Sequence, residues 1–377
     1  MRILHLFPGT SWGGAEIQAI EICDWQREIG LDSRFWCAEG TPIHKEVLRR
    51  GIPCVTEPFP MKGLLPPLAR LRRVLRQNQI THLHVHWAAG VRLVYGIKFL
   101  LPVKLIFYTH MWITRRKMDP FHRLAYKAFD KVTISGQRAY ENVQKFLPWN
   151  KKQLEICPYG IDFRKIPEGL RMNQAPAPGL RKKWGLPEDA LIFGFFGRID
   201  RQKGVKEFLV ASQKALANHP NLHLLLVGDP TLNEPEAVAY NQEIVDLIEA
   251  SPYRSRIHRI PHQREFHSPI ACADLAVLPS YMECYSILIV HCFALGLPVV
   301  STDAGGTPDL IQAPRRGWLV PSRDTEILGE LLDRLAGNPS GIREKAEACQ
   351  AYARNHHSHD SVARRFKEIY EAAEKNV

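Results

Sequence analysis

The stretch "LPSYMECYSILIVHCFALGLPVVSTDAGG", residues 278–306, changes period twice. It opens on the end of an apolar run, "DLAVLPS" (274–280), and passes through a short polar loop. It continues as a helix-length apolar segment, turns at Gly296 and ends in the β-branched run "PVVST" (298–302). Strand, loop, helix, turn, strand is the signature of a parallel βαβ unit. Glu283 sits in the loop, and the helix is expected to open at Cys284 or Tyr285, with Ser286 and Ile287 in its first turn. His291 follows eight positions later, an offset of about 800° on a helix, which turns it roughly 80° from Glu283. The two side chains then address different parts of one ligand.

The same alternation extends in both directions. Strands are expected at 2–7, 33–38, 82–87, 104–110, 131–135 and 154–159, and again at 191–197, 222–228, 256–260, 274–280 and 298–302. Helices fit 14–29, 66–78, 204–218, 236–250, 285–295 and 324–336, and a last helical stretch covers 341–375. Residues 165–180 are rich in proline and glycine and lack periodicity, which marks a linker. At 377 residues the chain exceeds one comfortable core. The expected organisation is a Rossmann-like domain over 1–165 joined by 360–377, a linker over 166–182, and a second Rossmann-like domain over 183–359. Ligands of such sheets bind beyond the carboxyl ends of the strands.

The charge of +11 is uneven: residues 1–165 carry 26 Lys/Arg against 13 Asp/Glu, and the remainder carries 24 against 26. An anionic partner for the first half is the expectation. Nucleic acid is not the expected partner, since no recognition module and few interleaved aromatics accompany the charge. The eight cysteines form no C-x-x-C pair and read as reduced cytosolic thiols. The N-terminus has no signal-peptide pattern, no apolar run is long enough to span a bilayer, and a cytoplasmic location is expected. Residues 62–76, "KGLLPPLARLRRVLR", place Leu64, Leu68, Leu71 and Leu75 at helical spacing among arginines. Together with Arg115, Arg116 and Lys117, this pattern is read as a contact with an anionic membrane surface.

"GRIDRQKG" (197–204) follows a strongly apolar strand. Gly197 lets the chain turn, Arg198 offers a planar fork, and Lys203 adds a point charge just before a helix N-terminus. That combination suits a diphosphate. No Asp-x-Asp is present, so no metal and no cofactor is expected, with Arg and Lys standing in for a cation. His84 and His86 share one face of a strand and are read as polar residues, not metal ligands.

These motifs resemble the retaining glycosyltransferases of family 4, which have the two-domain GT-B fold. The resemblance rests on Gly197-Arg198, Lys203-Gly204, Glu283, Gly296, Pro298-Val299-Val300, "GGTPD" (305–309) and "VGDP" (227–230), and in the first half on "GGAE" (13–16), "HVH" (84–86), "TH" (109–110) and "PYGID" (158–162). It implies an α/β fold of two Rossmann-like domains facing a central cleft, with the C-terminal helix returning to the N-terminal domain. It also implies a nucleotide-diphosphate-sugar co-substrate, transfer with retention of anomeric configuration, and a glycan or lipid-linked anionic acceptor in cell-surface polysaccharide or lipopolysaccharide synthesis. Arg198 and Lys203 would grip the donor diphosphate, Glu283 the sugar hydroxyls, and the amides around Cys284, Tyr285, Ser286 and Ile287 the phosphate or sugar oxygens. Gly13 and Gly14 would allow close approach of the diphosphate and acceptor, His110 would lie near the anomeric carbon, and Ile260 to His262 near the base. Glu16, Arg115 and Arg116 fall on the acceptor side. His291 departs from the family, which carries a second carboxylate there for both ribose hydroxyls; a neutral imidazole accepts one hydrogen bond. The alternatives are a nucleotide-sugar epimerase and a non-catalytic nucleotide- or carbohydrate-binding relative.

Overall fold

The computed structural model describes residues 1–9, 12–56, 65–86, 91–170, 179–231 and 234–375. It divides into two compact units, Met1–Gly160 with His356–Val377, and Ile161–Asn355. Unit 1 holds a parallel sheet of seven strands: β1 (Arg2–Leu6), β2 (Asp32–Trp36), β3 (Cys54–Val55), β4 (His82–Val85), β5 (Lys104–Thr109), β6 (Lys131–Ile134) and β7 (Leu154–Ile156). Their order is β3-β2-β1-β4-β5-β6-β7. Unit 2 holds six: β8 (Leu191–Phe196), β9 (Leu222–Val227), β10 (Ile257–Ile260), β11 (Leu275–Leu278), β12 (Val299–Thr302) and β13 (Gly317–Val320), ordered β10-β9-β8-β11-β12-β13. The expected α/β architecture of two Rossmann-like sheets is therefore observed.

Parallel strands covered on both faces bury every side chain, which is why β8 and β11 read as near-continuous apolar runs, while β4 is equally buried with histidine at every second position. The sequence pattern missed β3 and β13. Both are short edge strands, and neither carries a long apolar run. The expected final helical stretch is three helices, Pro339–Arg343, Ala346–His357 and His359–Lys375. Ser358 causes the second break, because its carbonyl and hydroxyl both accept from the first turn of the last helix. That last helix buries Val362, Phe366, Ile369 and Tyr370 in unit 1. Among the residues expected to form a linker, 171–178 lie outside the described set. Arg181 is buried in unit 2, where it bonds the carbonyls of Cys272, Glu188 and Ala190 and the carboxylate of Asp274.

The helix Leu65–Gln77 corrects the membrane reading of its leucines. Leu71, Val74 and Leu75 are buried in the core, so their face is not available to lipid. Leu64 lies outside the described residues.

Unit 1 also contains a buried seam of histidines. His5 pairs with His84 in the β1–β4 register, and His86 follows on the same face. Gln26 Oε1 lies 2.9 Å from His5 Nε2, His5 Nδ1 lies 2.9 Å from His86 Nε2, and His86 Nδ1 lies 2.9 Å from His110 Nε2. His110 Nδ1 is 2.9 Å from the Tyr159 hydroxyl. The Gln26 oxygen can only accept, so each ring in turn must carry its proton on Nε2, and the Tyr159 hydroxyl donates at the far end. His84 follows the same rule: Tyr370 accepts from the Gln26 amide nitrogen at 2.8 Å and donates to His84 Nδ1 at 2.8 Å. A second proton on any of these rings would set two N–H groups face to face or leave a buried charge unpaired.

Burial accordingly lowers the pKa of His5 to about 4 and of His110 to about 3, and holds His84 and His86 well below the usual imidazole range. In the unfolded chain these rings accept protons below about pH 6.5, whereas in the fold they do not until the lower values are reached. The stability they share is therefore full above that pH and declines as pH falls towards 4. Thermal melts should show Tm falling by on the order of 10 °C between about pH 7 and pH 5, before carboxylates titrate. A flat Tm across that interval would contradict the neutral ladder.

Candidate active site

In unit 2 the strand order reverses between β8 and β11, which opens a crevice beyond their carboxyl ends. β8 runs into Gly197 and Arg198, and a short turn over Arg201–Lys203 leads to Gly204 and the helix Val205–Asn218. Asp200 caps the turn by accepting from Gln202 N at 2.9 Å. Gly204 has φ +73°, and a Cβ there would stand 2.2 Å from the carbonyl oxygen of Pro279. Glycine therefore lets the β8 loop lie directly against the β11 loop. Tyr281 N donates to Gln202 O at 2.8 Å and ties the same two loops together.

Lys203 and Glu283 meet across this junction. Lys203 Nζ donates to Glu283 Oε1 at 2.5 Å, and Ser280 Oγ donates to the same oxygen at 3.2 Å. Both charged side chains are largely covered. Arg198 is more open; its Nη1 donates to Thr231 Oγ1 at 3.1 Å, and Nη2 lies 3.9 Å from Asp200. On the β12 side, Thr302 donates to the Ser280 carbonyl and Ser301 to that of Leu278, each at 2.6 Å. Gly305 adopts φ +60°, where a Cβ would stand 1.9 Å from the Glu283 carbonyl. The "GG" of 305–306 thus seats the Glu283 loop, and Gly306 N donates to Glu283 O at 3.0 Å.

The helix after this loop is Ile287–Ala294 with Ser286 as its N-cap. It opens later than expected, because Cys284 and Tyr285 still belong to the loop. Glu283 is therefore not on the helix, and the 80° offset to His291 does not apply. The Tyr285 side chain is buried, and burial holds its hydroxyl well above the usual phenol range. His291 is half-buried and turns towards the segment after β10: its Nδ1 is 3.2 Å from His267 Nε2, and the Phe266 ring meets it edge-on with centroids 4.8 Å apart. Ile260 is buried and its carbonyl accepts from Gly228 N at 3.0 Å, while exposed His262 donates its N–H to Asp229 at 3.0 Å.

In unit 1, Gly13 caps the helix Gly14–Glu28 with φ −169°, an extended conformation open to any residue, and a Cβ there would meet Glu16 Oε2 at 3.4 Å. Neither the backbone conformation nor the packing within the chain therefore requires a glycine at 13. Glu16 is buried. His110 has both ring nitrogens committed, one to His86 and one to Tyr159. Arg115 and Arg116 are exposed. "PYGID" is accounted for by packing: Gly160 lies against Trp25 and is bonded in both directions by the Gln18 amide, each at 3.0 Å.

Several site neighbours were not singled out from the sequence. Thr231 directly follows "VGDP", and Ser280 precedes Glu283 by three residues, so proximity in the chain was a usable signal. Glu265 and His267 gave none, since their link to His291 joins two helices that no spacing connects.

Comparison with known proteins bears on the family and the fold. A family model described as "Glycosyl transferases group 1" matches residues 178–356, and one described as "Glycosyltransferase Family 4" matches residues 12–165. A D-inositol 3-phosphate glycosyltransferase of Streptomyces griseus is 30% identical over 65% of this chain and 54% of its own length. The chain thus spans about half the length of the curated relatives it matches. A solved glycosyltransferase from Rickettsia africae superposes with TM-score 0.88 at 17% identity, covering 100% of this chain and 99% of the other. HepE from Anabaena, solved in complex with UDP, gives TM-score 0.84 at 18% identity over 99% and 100% of the two chains. The two family models between them take in both halves of the sequence, and the chain belongs to the group 1, family 4 glycosyltransferases, with the GT-B fold.

Proposed function

We propose that the chain transfers a sugar from a nucleotide-diphosphate donor to a glycan or lipid-linked acceptor, with retention of anomeric configuration. The observation that carries this reading is the Lys203–Glu283 pair at the switch point of unit 2, with Arg198 alongside. A diphosphate offers Lys203 a more highly charged partner than one carboxylate. When the diphosphate takes the ammonium, Glu283 is left free to accept from sugar hydroxyls. Arg198 and Lys203 then neutralise the charge that grows on the departing phosphate, so no cation is needed at that point. The N-terminus of Ile287–Ala294 adds a favourable dipole for the same anion. His110 is assigned no proton transfer, because both its ring nitrogens are occupied. The Anabaena neighbour solved with UDP and with UDP-glucose supports a nucleotide sugar as donor.

Release of nucleoside diphosphate from a panel of nucleotide sugars tests this directly. Arg198→Ala and Lys203→Ala each remove a charge-assisted bond of about 1.5–3 kcal/mol and should slow release at least tenfold. Wild-type turnover in both variants would overturn the clamp; binding without any turnover by the parent chain would favour a non-catalytic relative.

The basic character of unit 1 supports an anionic membrane as the place where the acceptor is met. The best-suited surface is the segment from Met111 to Leu124, where Met111, Phe121 and Leu124 are exposed beside Arg115, Arg116 and Arg123. Among the described residues no helix is long and apolar enough to cross a membrane. Flotation with liposomes containing acidic lipid should retain the chain, and Phe121→Ser with Leu124→Ser should release it. Equal retention by neutral and acidic liposomes, or none by either, would contradict this surface.

A further inference from the structure

Tyr281 lies between Ser280 and Glu283 in the loop after β11, and each of its polar groups is held by a different part of unit 2. Its N–H donates to Gln202 O at 2.8 Å, in the turn that carries Lys203. Its carbonyl accepts from Ser322 Oγ at 3.3 Å, in the loop after β13. Its hydroxyl donates to Glu207 Oε1 at 2.5 Å, in the first turn of the helix Val205–Asn218. The Arg323 guanidinium lies over its ring, 4.3 Å from the centroid.

Two features of this cluster work against the stability of the fold. Glu207 Oε2 is buried and has no hydrogen-bond partner, and among the described residues no cation pairs with its carboxylate. The neighbouring cations Arg201 and Lys206 are both taken by Glu243. A partly buried carboxylate that accepts one hydrogen bond is poorly compensated for lost water. Arg323 has φ +67°, in the left-handed region that favours glycine. Backbone strain and unmet polarity of this kind gather where a side chain has to be held in one place.

The order of the cluster follows from chemistry. The carboxylate only accepts, so the Tyr281 proton points at Glu207 and fixes the ring. The guanidinium draws on the electrons of the ring and makes the phenol a stronger donor. Burial and the adjacent Glu207 push the hydroxyl up to about 12, so it remains a donor at neutral pH.

We propose that Tyr281, braced by Glu207 and Arg323, is a positioning residue that sets the Glu283 loop against the Lys203 turn, and so governs the rate of sugar transfer and not the hold on the diphosphate. This rests on the function proposed above. Arg198 and Lys203 stand on the loop after β8, to which the brace is anchored. Glu283 stands two residues from Tyr281, on the loop that the brace orients.

The test separates hold from rate. Release of nucleoside diphosphate from the best sugar of the panel gives kcat, and calorimetric titration with that nucleoside diphosphate gives Kd. Tyr281→Phe should lower kcat about two- to tenfold, the worth of one hydrogen bond, and leave Kd at the parental value. Arg323→Gly suits the backbone at φ +67°, so its Tm should match or exceed the parent's while kcat falls as in Tyr281→Phe. Arg323→Lys keeps the cation and should restore most of that loss. Tyr281→Phe combined with Arg323→Gly should be no slower than Tyr281→Phe alone, because both act through one hydroxyl. Parental kcat in Tyr281→Phe, or a Kd that weakens in step with kcat, would overturn the brace while leaving the proposed function in place. Losses that multiply in the combined variant would overturn the link between Arg323 and Tyr281. A parent chain that turns over no nucleotide sugar would overturn both readings together.

Discussion

Unit 2 converges on one ion pair. Lys203 and Glu283 come from loops that follow β8 and β11, the two strands between which the strand order reverses. Their meeting depends on backbone approaches that only glycine permits: Gly204 against Pro279 on one side, and Gly305 against the Glu283 carbonyl on the other. A largely covered ion pair is weak evidence of stability, because desolvation offsets much of the attraction. On the proposed function, these are two charges held ready for different parts of one anionic, hydroxylated ligand and satisfied by each other until it binds. Backbone hydrogen bonds and glycine contacts tie these loops together, so the proposal assigns the exchange to the side chains.

Histidine serves two purposes in this chain, and burial together with the identity of the terminal group separates them. In unit 1 the ladder ends on the Gln26 amide oxygen and the Tyr159 hydroxyl, both neutral. Every proton is assigned and His110 faces its neighbours with nothing to spare. In unit 2 the chain of rings ends on a carboxylate at one end and on an open nitrogen at the other. The first arrangement is a structural seam that makes the fold sensitive to acid. The second joins the helix Ile287–Ala294 to the segment after β10.

The fold was legible in the sequence to the extent that strands were buried on both faces. β1, β8, β9 and β11 announced themselves as apolar runs, and the helices after them carried the expected period. β3 and β13 were silent, because short edge strands bury little. The site was legible where residues lay just after strands, as Arg198, Lys203 and Glu283 do. Contacts between elements were not: nothing in the spacing of residues 265, 267 and 291 joins them, and the helix opening at Ile287 instead of Cys284 or Tyr285 was set by the loop packed on Gly305 and Gly306. The leucines of Leu65–Gln77 show the limit of amphipathic patterns, since a core-facing stripe and a lipid-facing one are written alike.

The most direct test of the central claim is a crystal structure of the chain with UDP bound. The account predicts that Lys203 Nζ leaves Glu283 for a phosphate oxygen, with the Arg198 guanidinium on the same diphosphate and the Glu283 carboxylate turned towards the space beyond it. A bound nucleotide with the Lys203–Glu283 pair intact, or with its phosphates out of reach of both cations, would contradict it.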